Sequence, residues 1–266
     1  MDTFIQHENK GVVFMTAPNI PLVHAFSTRL GGVSAGPFAS LNLGFGRGDP
    51  AGNVMENYRR LGAALGIDPM RAAFTKQVHG RAVRTVTLAD ACAPDAPSTA
   101  ECDALVTAER ALPIFCFTAD CVPALLCDAR HGVAAAAHCG WRSSVADILA
   151  AVVERMCALG AETGDIRAAF GPAIGCCCFE TDGDVPQALR AYLGADAEAY
   201  IAPGAREGKY LVDLRAANAR RLAQLGVPEG NIAVSGECTV CSHEKYWSHR
   251  HVRGGARGSQ CGVITL

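Results

Sequence analysis

Between residues 104 and 137 the chain runs through four short apolar segments, 104–106, 114–117, 122–127 and 133–137, each followed by a polar residue. Segments of this length suggest buried strands. Side chains able to do chemistry stand at their ends. Thr118-Ala119-Asp120-Cys121-Val122-Pro123 joins the second segment to the third, and Ala137-His138-Cys139-Gly140-Trp141-Arg142 closes the fourth. Upstream, Gln77-Val78-His79-Gly80 reads as a turn between two short strands expected within 72–88. A thiol, two imidazoles and a carboxylate thus sit where side chains from different strands can converge.

Helices flank these strands on both sides in sequence. Asp49-Pro50 reads as a cap followed by a first-turn proline, and Val54, Tyr58, Leu61 and Leu65 form an apolar stripe stopped at Gly66. Val145, Ile148, Leu149, Val152, Val153 and Met156 recur near a 3.6-residue period before Gly160. Asp213 can cap a third helix carrying Leu214, Ala217, Leu222 and Leu225. This mixture indicates an α/β fold, and the early consecutive strands argue against a simple doubly wound sheet. No composition change marks a linker in the 266 residues, so a single domain over 1–266 is expected.

No run approaches the ~18 apolar residues of a membrane span, and Met1-Asp2-Thr3-Phe4 does not open an export signal, which makes a cytoplasmic protein without a membrane partner the expectation. Net charge is −2 with dispersed basic residues, which disfavours nucleic acid and leaves a small polar or anionic substrate. The 13 cysteines are expected to be mostly reduced, with Cys116, Cys127 and Cys157 acting as small buried hydrophobes. Adjacent side chains in Cys176-Cys177-Cys178 do not naturally point at one ion. Cys238-Thr239-Val240-Cys241 lacks a second pair of equal spacing, so a redox or metal-buffer protein is the weaker expectation.

The residues themselves leave three readings of His79, Cys121 and His138 open. Two imidazoles and a thiolate suit zinc, with a fourth position for water or substrate. Cys121 with a histidine base would equally make a nucleophilic pair, and all three side chains could simply be packed.

The ordered set Ser27-Thr28-Arg29-Leu30-Gly31-Gly32-Val33-Ser34, Ser40-Leu41-Asn42-Leu43-Gly44, Gln77-Val78-His79-Gly80, Thr118 to Pro123, His138 to Arg142, Gly171-Pro172-Ala173-Ile174-Gly175 and Cys238-Thr239 resembles the multicopper-polyphenol-oxidase-like, laccase-domain family. Members of that family have been described as purine nucleoside phosphorylases with adenosine deaminase activity. The resemblance spans nearly the whole chain. It implies a single layered α/β/β/α-type domain with mixed sheets and assigns a metal triad to His79, Cys121 and His138. It directs attention to Arg29, Arg47, Asp120 and Cys121 as catalytic residues and to Arg29, Asn42, Arg142 and Gly171 as substrate-binding ones. Arginines can hold phosphate, Asn42 a ribose hydroxyl or base edge, and Asp120 a ligand histidine or a proton.

The activity implied is zinc-dependent phosphorolysis of adenosine, inosine and S-methyl-5'-thioadenosine, with deamination of adenosine by water activated at the metal. Copper is the rival metal. The alternatives are copper-dependent oxidation of phenols and a Cys121-His138 hydrolase, although eight scattered histidines scarcely supply the paired clusters of multicopper chemistry. Nucleoside and phosphate are the expected partners of a monomer, with a homodimer as the alternative. Cys139 and Ser143 depart from the family pattern, where alanine and glycine are usual, and are expected to narrow the pocket and tune its selectivity.

Overall fold

The computed structural model describes residues 4–97 and 99–266. Two six-stranded mixed sheets lie face to face. In the first the order is Ile5–Asn9, Val12–Thr16, Val23–Ser27, Gln260–Thr265, Ile114–Thr118, Ala73–Phe74. In the second it is Ile232–Val234, Arg167–Phe170, Val122–Asp128, Val133–Cys139, Ala104–Thr107, Val83–Thr85. The last pair of the first sheet and both outermost pairs of the second are parallel, and the others are antiparallel. A small three-stranded sheet, Glu180–Thr181, Tyr210–Val212 and Ile201–Pro203, lies apart from them.

Strand alternation sorts the four apolar segments into layers. Leu105, Leu125, Cys127, Ala134 and Ala136 meet Ile114, Cys116, Phe26 and Ile264 between the two sheets. Their alternates Val122, Ala124, Leu126, Ala135 and Ala137 face outward, under Ile148–Ala158, Asp184–Leu193 and Leu214–Gln224. The outer face of the first sheet is covered by Ala51–Leu65 through Val54, Tyr58 and Leu61. The layering is helix, sheet, sheet, helices, as the sequence resemblance implies. Among the described residues no helix is long and apolar enough to cross a membrane.

Several local expectations are met in altered form, and Cys157, expected to be buried like Cys116 and Cys127, is exposed because it lies off the buried face of the Ile148–Ala158 helix. Gly66 ends the first helix in a left-handed conformation, but Pro50 occupies the cap, because the Asp49 carboxylate instead accepts from Ser34 (2.6 Å) and Asn42 (2.8 Å). Asp213 caps its helix by accepting from the Ala216 amide at 3.0 Å. The helix expected from Val145 onward is two, Trp141–Val145 and Ile148–Ala158, since Asp147 adopts φ 66° between them and pairs with Arg221. The strands flanking the 79–80 turn belong to different sheets, Ala73–Phe74 to the first and Val83–Thr85 to the second.

Gly171, expected to admit a ligand, is a packing glycine. A Cβ there would lie 2.2 Å from the Phe26 ring, which is buried between the sheets. Overpacking of this kind costs about 3 kcal/mol. Gly171→Ala should therefore lower the urea midpoint markedly, whereas an unchanged midpoint would mean that the position faces open space.

Candidate metal centre

Two segments carry the chain from the first sheet to the second, and each delivers a candidate ligand. The 119–121 turn links Ile114–Thr118 to Val122–Asp128 and exposes Cys121; the 75–82 segment does the same between Ala73–Phe74 and Val83–Thr85 and exposes His79. His138 comes from the end of Val133–Cys139, on the face that Ala134 and Ala136 turn toward the first sheet. The three candidate donor atoms lie within 4.8 Å of one another. The Cys121 Sγ to His79 Nε2 separation is 4.0 Å, and the two imidazoles stand edge to face with centroids 4.8 Å apart. His138 is buried, Cys121 half-buried and His79 exposed, so the cluster opens to solvent on one side.

Asp103, absent from the residues expected to act, organises this cluster. Its carboxylate is wholly buried. Oδ1 contacts His138 Nδ1 at 2.8 Å and accepts from the His79 amide at 3.0 Å, while Oδ2 accepts from the Val78 (3.1 Å) and Gly80 (2.7 Å) amides. One side chain therefore orients one imidazole and holds the turn bearing the other, in which His79 adopts φ 60°. With Nδ1 engaged, His138 offers Nε2 as ligand. The sequence signal was a carboxylate placed directly before the apolar 104–106 segment. Gly140 closes the back of the site: a Cβ there would lie 3.0 Å from His79 and 3.3 Å from Cys121 Sγ.

The electrostatics favour a thiolate. Burial resists ionisation of Cys121, but hydrogen bonds and charge from His138 and His79 bring its pKa down to about 6. Burial likewise resists charge on His138, and contacts with Asp103 and Cys121 raise it to about 9. Burial also opposes charge on Asp103, yet hydrogen bonds from His138, Gly80 and Val78 hold its carboxyl below the usual range. A borderline-soft donor set, a carboxylate-oriented histidine and a glycine-lined cradle fit a transition-metal ion with three protein ligands. Zinc and copper both suit these donors.

The other expected site residues separate into two groups. Arg47 lines an aromatic cleft of about 430 Å³ together with Phe45, Gln77 and Phe117. It also borders a surface hollow with His249 and Arg257. Arg257 stands within charge range of Arg47, Asp120 and Cys121, a proximity its distance along the chain does not reveal. Arg142 is exposed and stacks on the Trp141 ring at 4.3 Å.

Asn42 has no surface for a substrate. It is 0% exposed, its amide donates to Asp49 and Gly44, and its carbonyl accepts from the Gly44 and Ser259 amides. The Arg29 guanidinium lies over Trp247 at 4.0 Å and donates to the Ala39 and His243 carbonyls, so it braces loops instead of facing the triad. Asp120 orients no ligand histidine, since Asp103 does so. One Asp120 oxygen accepts from Thr239 Oγ1 and the other from the Arg250 amide, both at 2.6 Å. Cys139 and Ser143 are also removed from the pocket: Cys139 points into the helix-side core, opposite His138, and both are 0% exposed.

The family model described as multi-copper polyphenol oxidoreductase laccase matches residues 23–266. This chain belongs to that family. Within the laccase family it is 41% identical over 256 residues to a purine nucleoside phosphorylase of Deinococcus radiodurans, covering 96% of this chain and 94% of the relative. It is 36% identical over 242 residues to adenosine deaminase RL5 from an unknown prokaryotic organism, covering 89% and 91%. The crystal structure of YlmD from Geobacillus stearothermophilus superposes with a TM-score of 0.88 at 33% identity, covering 100% of this chain and 99% of that one.

Two outcomes test this centre. Asp103→Asn, which cannot serve all four donors as an ionised carboxylate does, should weaken metal affinity at the triad about 10- to 100-fold in a chelator competition; unchanged affinity would remove Asp103 from its organising role. In metal-free protein, alkylation of Cys121 followed by peptide mass spectrometry should rise through a midpoint near pH 6, because the thiolate exists above its lowered pKa. Added zinc should suppress the reaction, and a midpoint near 9 would contradict the thiolate assignment.

Proposed function

We propose that this protein is a metal-dependent purine nucleoside phosphorylase, acting on adenosine, inosine and S-methyl-5'-thioadenosine, with adenosine deamination at the same centre. The observation that carries this reading is that Arg257 lies within charge range both of Cys121, in the His79-Cys121-His138 cluster, and of Arg47, which lines an aromatic cleft. The cleft volume suits a nucleoside, and the half-buried rings of Phe45 and Phe117 offer apolar walls for a purine. Gln77 fixes one wall: its amide exchanges hydrogen bonds of 2.7 Å with the Phe117 amide and carbonyl. The relatives' names support the same substrate class.

In phosphorolysis a phosphate oxygen forms a bond to the anomeric carbon while the bond from that carbon to the base nitrogen breaks. Arg47 and Arg257 hold the phosphate and balance its charge. The base departs with the electron pair and takes up a proton. In deamination water adds to the purine carbon bearing the amino group, and ammonia leaves. A zinc or copper ion held by His79, Cys121 and His138 would supply Lewis acidity for these steps. Asp103 keeps His138 presented through Nε2, and Asp120 is a positioning residue that ties the Cys121 turn to Thr239 and Arg250.

A second reading has one observation in its favour. Cys121, His138 and Asp103 align as nucleophile, base and orienting carboxylate, the arrangement of a Cys-His hydrolase. It requires a covalent Cys121 adduct and activity after metal removal. Copper-dependent phenol oxidation receives less support, since none of the candidate metal clusters among the described residues holds more than two histidines.

Incubation of metal-loaded protein with adenosine should yield adenine and ribose 1-phosphate when phosphate is present, and inosine without it. Arg47→Ala and Arg257→Ala should each raise the KM for phosphate about 10-fold or more, and affect phosphate-free deamination less. Absence of adenine and inosine alike, with oxygen uptake on a phenol, would favour oxidation instead.

A further inference from the structure

The two loops behind Asp120 carry a second cluster that the nucleoside chemistry does not use. Arg167–Phe170 and Ile232–Val234 pair in parallel, so the loops that follow them leave the sheet at the same end. An isolated bridge between Ala173 and Cys238 and the Thr239 amide donating to the Ala173 carbonyl (3.1 Å) keep the loops side by side. Cys177 and Cys178 on one and Cys238 and Cys241 on the other converge until all four Sγ atoms lie within 4.8 Å of one another. Cys241 Sγ is 3.6 Å from Cys177 Sγ and 3.5 Å from Cys178 Sγ. Sulfurs around tetrahedral zinc, at ~2.3 Å from the metal, stand about 3.8 Å apart.

We infer that Cys177, Cys178, Cys238 and Cys241 form a second metal site, a tetrathiolate that binds zinc in a structural role. Four protein sulfurs complete a tetrahedron and leave no position for substrate. The surroundings suit the two negative charges of such a centre. The Gly175 amide donates to Cys238 Sγ at 3.2 Å. Arg215, 6% exposed and with its Nε lacking a partner, borders the same space: a Cβ on Gly175 would meet Cys177 Sγ at 3.2 Å and Arg215 Nη2 at 3.3 Å. Cys238 is buried while Cys177 and Cys241 are exposed, which leaves an entry path. Cys176 is exposed and outside the group.

The site joins the loops that hold the catalytic turn. Thr239 donates to Asp120, the Ile174 amide donates to the Asp120 carbonyl at 2.9 Å, and Arg250 donates to the Cys178 carbonyl at 3.1 Å while its amide holds Asp120. A metal here therefore fixes the framework of the turn carrying Cys121 without entering the reaction.

Metal analysis of protein purified without chelators should give about two ions per chain, about one in Cys238→Ser/Cys241→Ser, about one in Cys121→Ala, and no change in Cys176→Ser. Cobalt-loaded Cys121→Ala should show the intense thiolate-to-metal charge-transfer bands of a four-sulfur site. This measurement decides the matter should the double variant fail to fold. One ion per chain that is lost in Cys121→Ala and retained in the double variant would overturn the second site and leave the first intact. No thiolate bands in cobalt-loaded Cys121→Ala would overturn it as well, as would a disulfide from Cys241 to Cys177 or Cys178 in non-reducing peptide maps of fresh protein.

Discussion

The candidate active site depends on one buried carboxylate. An isolated charge removed from water would be strongly unfavourable, and Asp103 is tolerated because three backbone amides and an imidazole surround it. The stabilisation is mutual. The amides of residues 78–80 would otherwise lack partners in a turn whose central residue has a left-handed backbone, and His138 would otherwise lack a fixed ring orientation. Removing the carboxylate loosens two ligands at once, whereas removing either histidine loosens one.

The double-sheet architecture explains why the ligands meet where they do. His79 and Cys121 lie on crossings between sheets and His138 on the inter-sheet face at a strand end, so the triad stands at the mouth of the gap between the layers. Rigid strands set the positions, and the crossings supply exposure. The arginines arrive from elsewhere, Arg47 from the stretch before the first helix and Arg257 from the segment leading into the Gln260–Thr265 strand.

Much of this was legible in the residues. The apolar segments announced the central strands and the stripe through Tyr58 the first helix, while Cys121, His138 and His79 stood out only as groups able to converge, and the family resemblance singled them out as metal ligands. Which sheet each strand joins was not legible, because periodicity reports burial and says nothing of the partner. Asn42 and Gly171 show the same gap: a buried amide satisfied by backbone and a glycine admitting Phe26 carry the same letters as a ligand-binding amide and loop. Cys139 follows His138 directly, so strand alternation sends it to the opposite face and away from the pocket. Neither the adjacent Cys177-Cys178 nor the single Cys238-x-x-Cys241 pair signals a shared site by its spacing, yet parallel strand pairing brings them together.

We propose that His79 and His138, held by Asp103, form one metal centre with Cys121. Anomalous scattering at the metal edge from a crystal of zinc-loaded protein tests it most directly. Zinc should give a peak bounded by Cys121 Sγ and Nε2 of His79 and His138, with Asp103 still hydrogen-bonded to His138 Nδ1. No peak among those three atoms, or an Asp103 carboxylate turned away from His138, would contradict it.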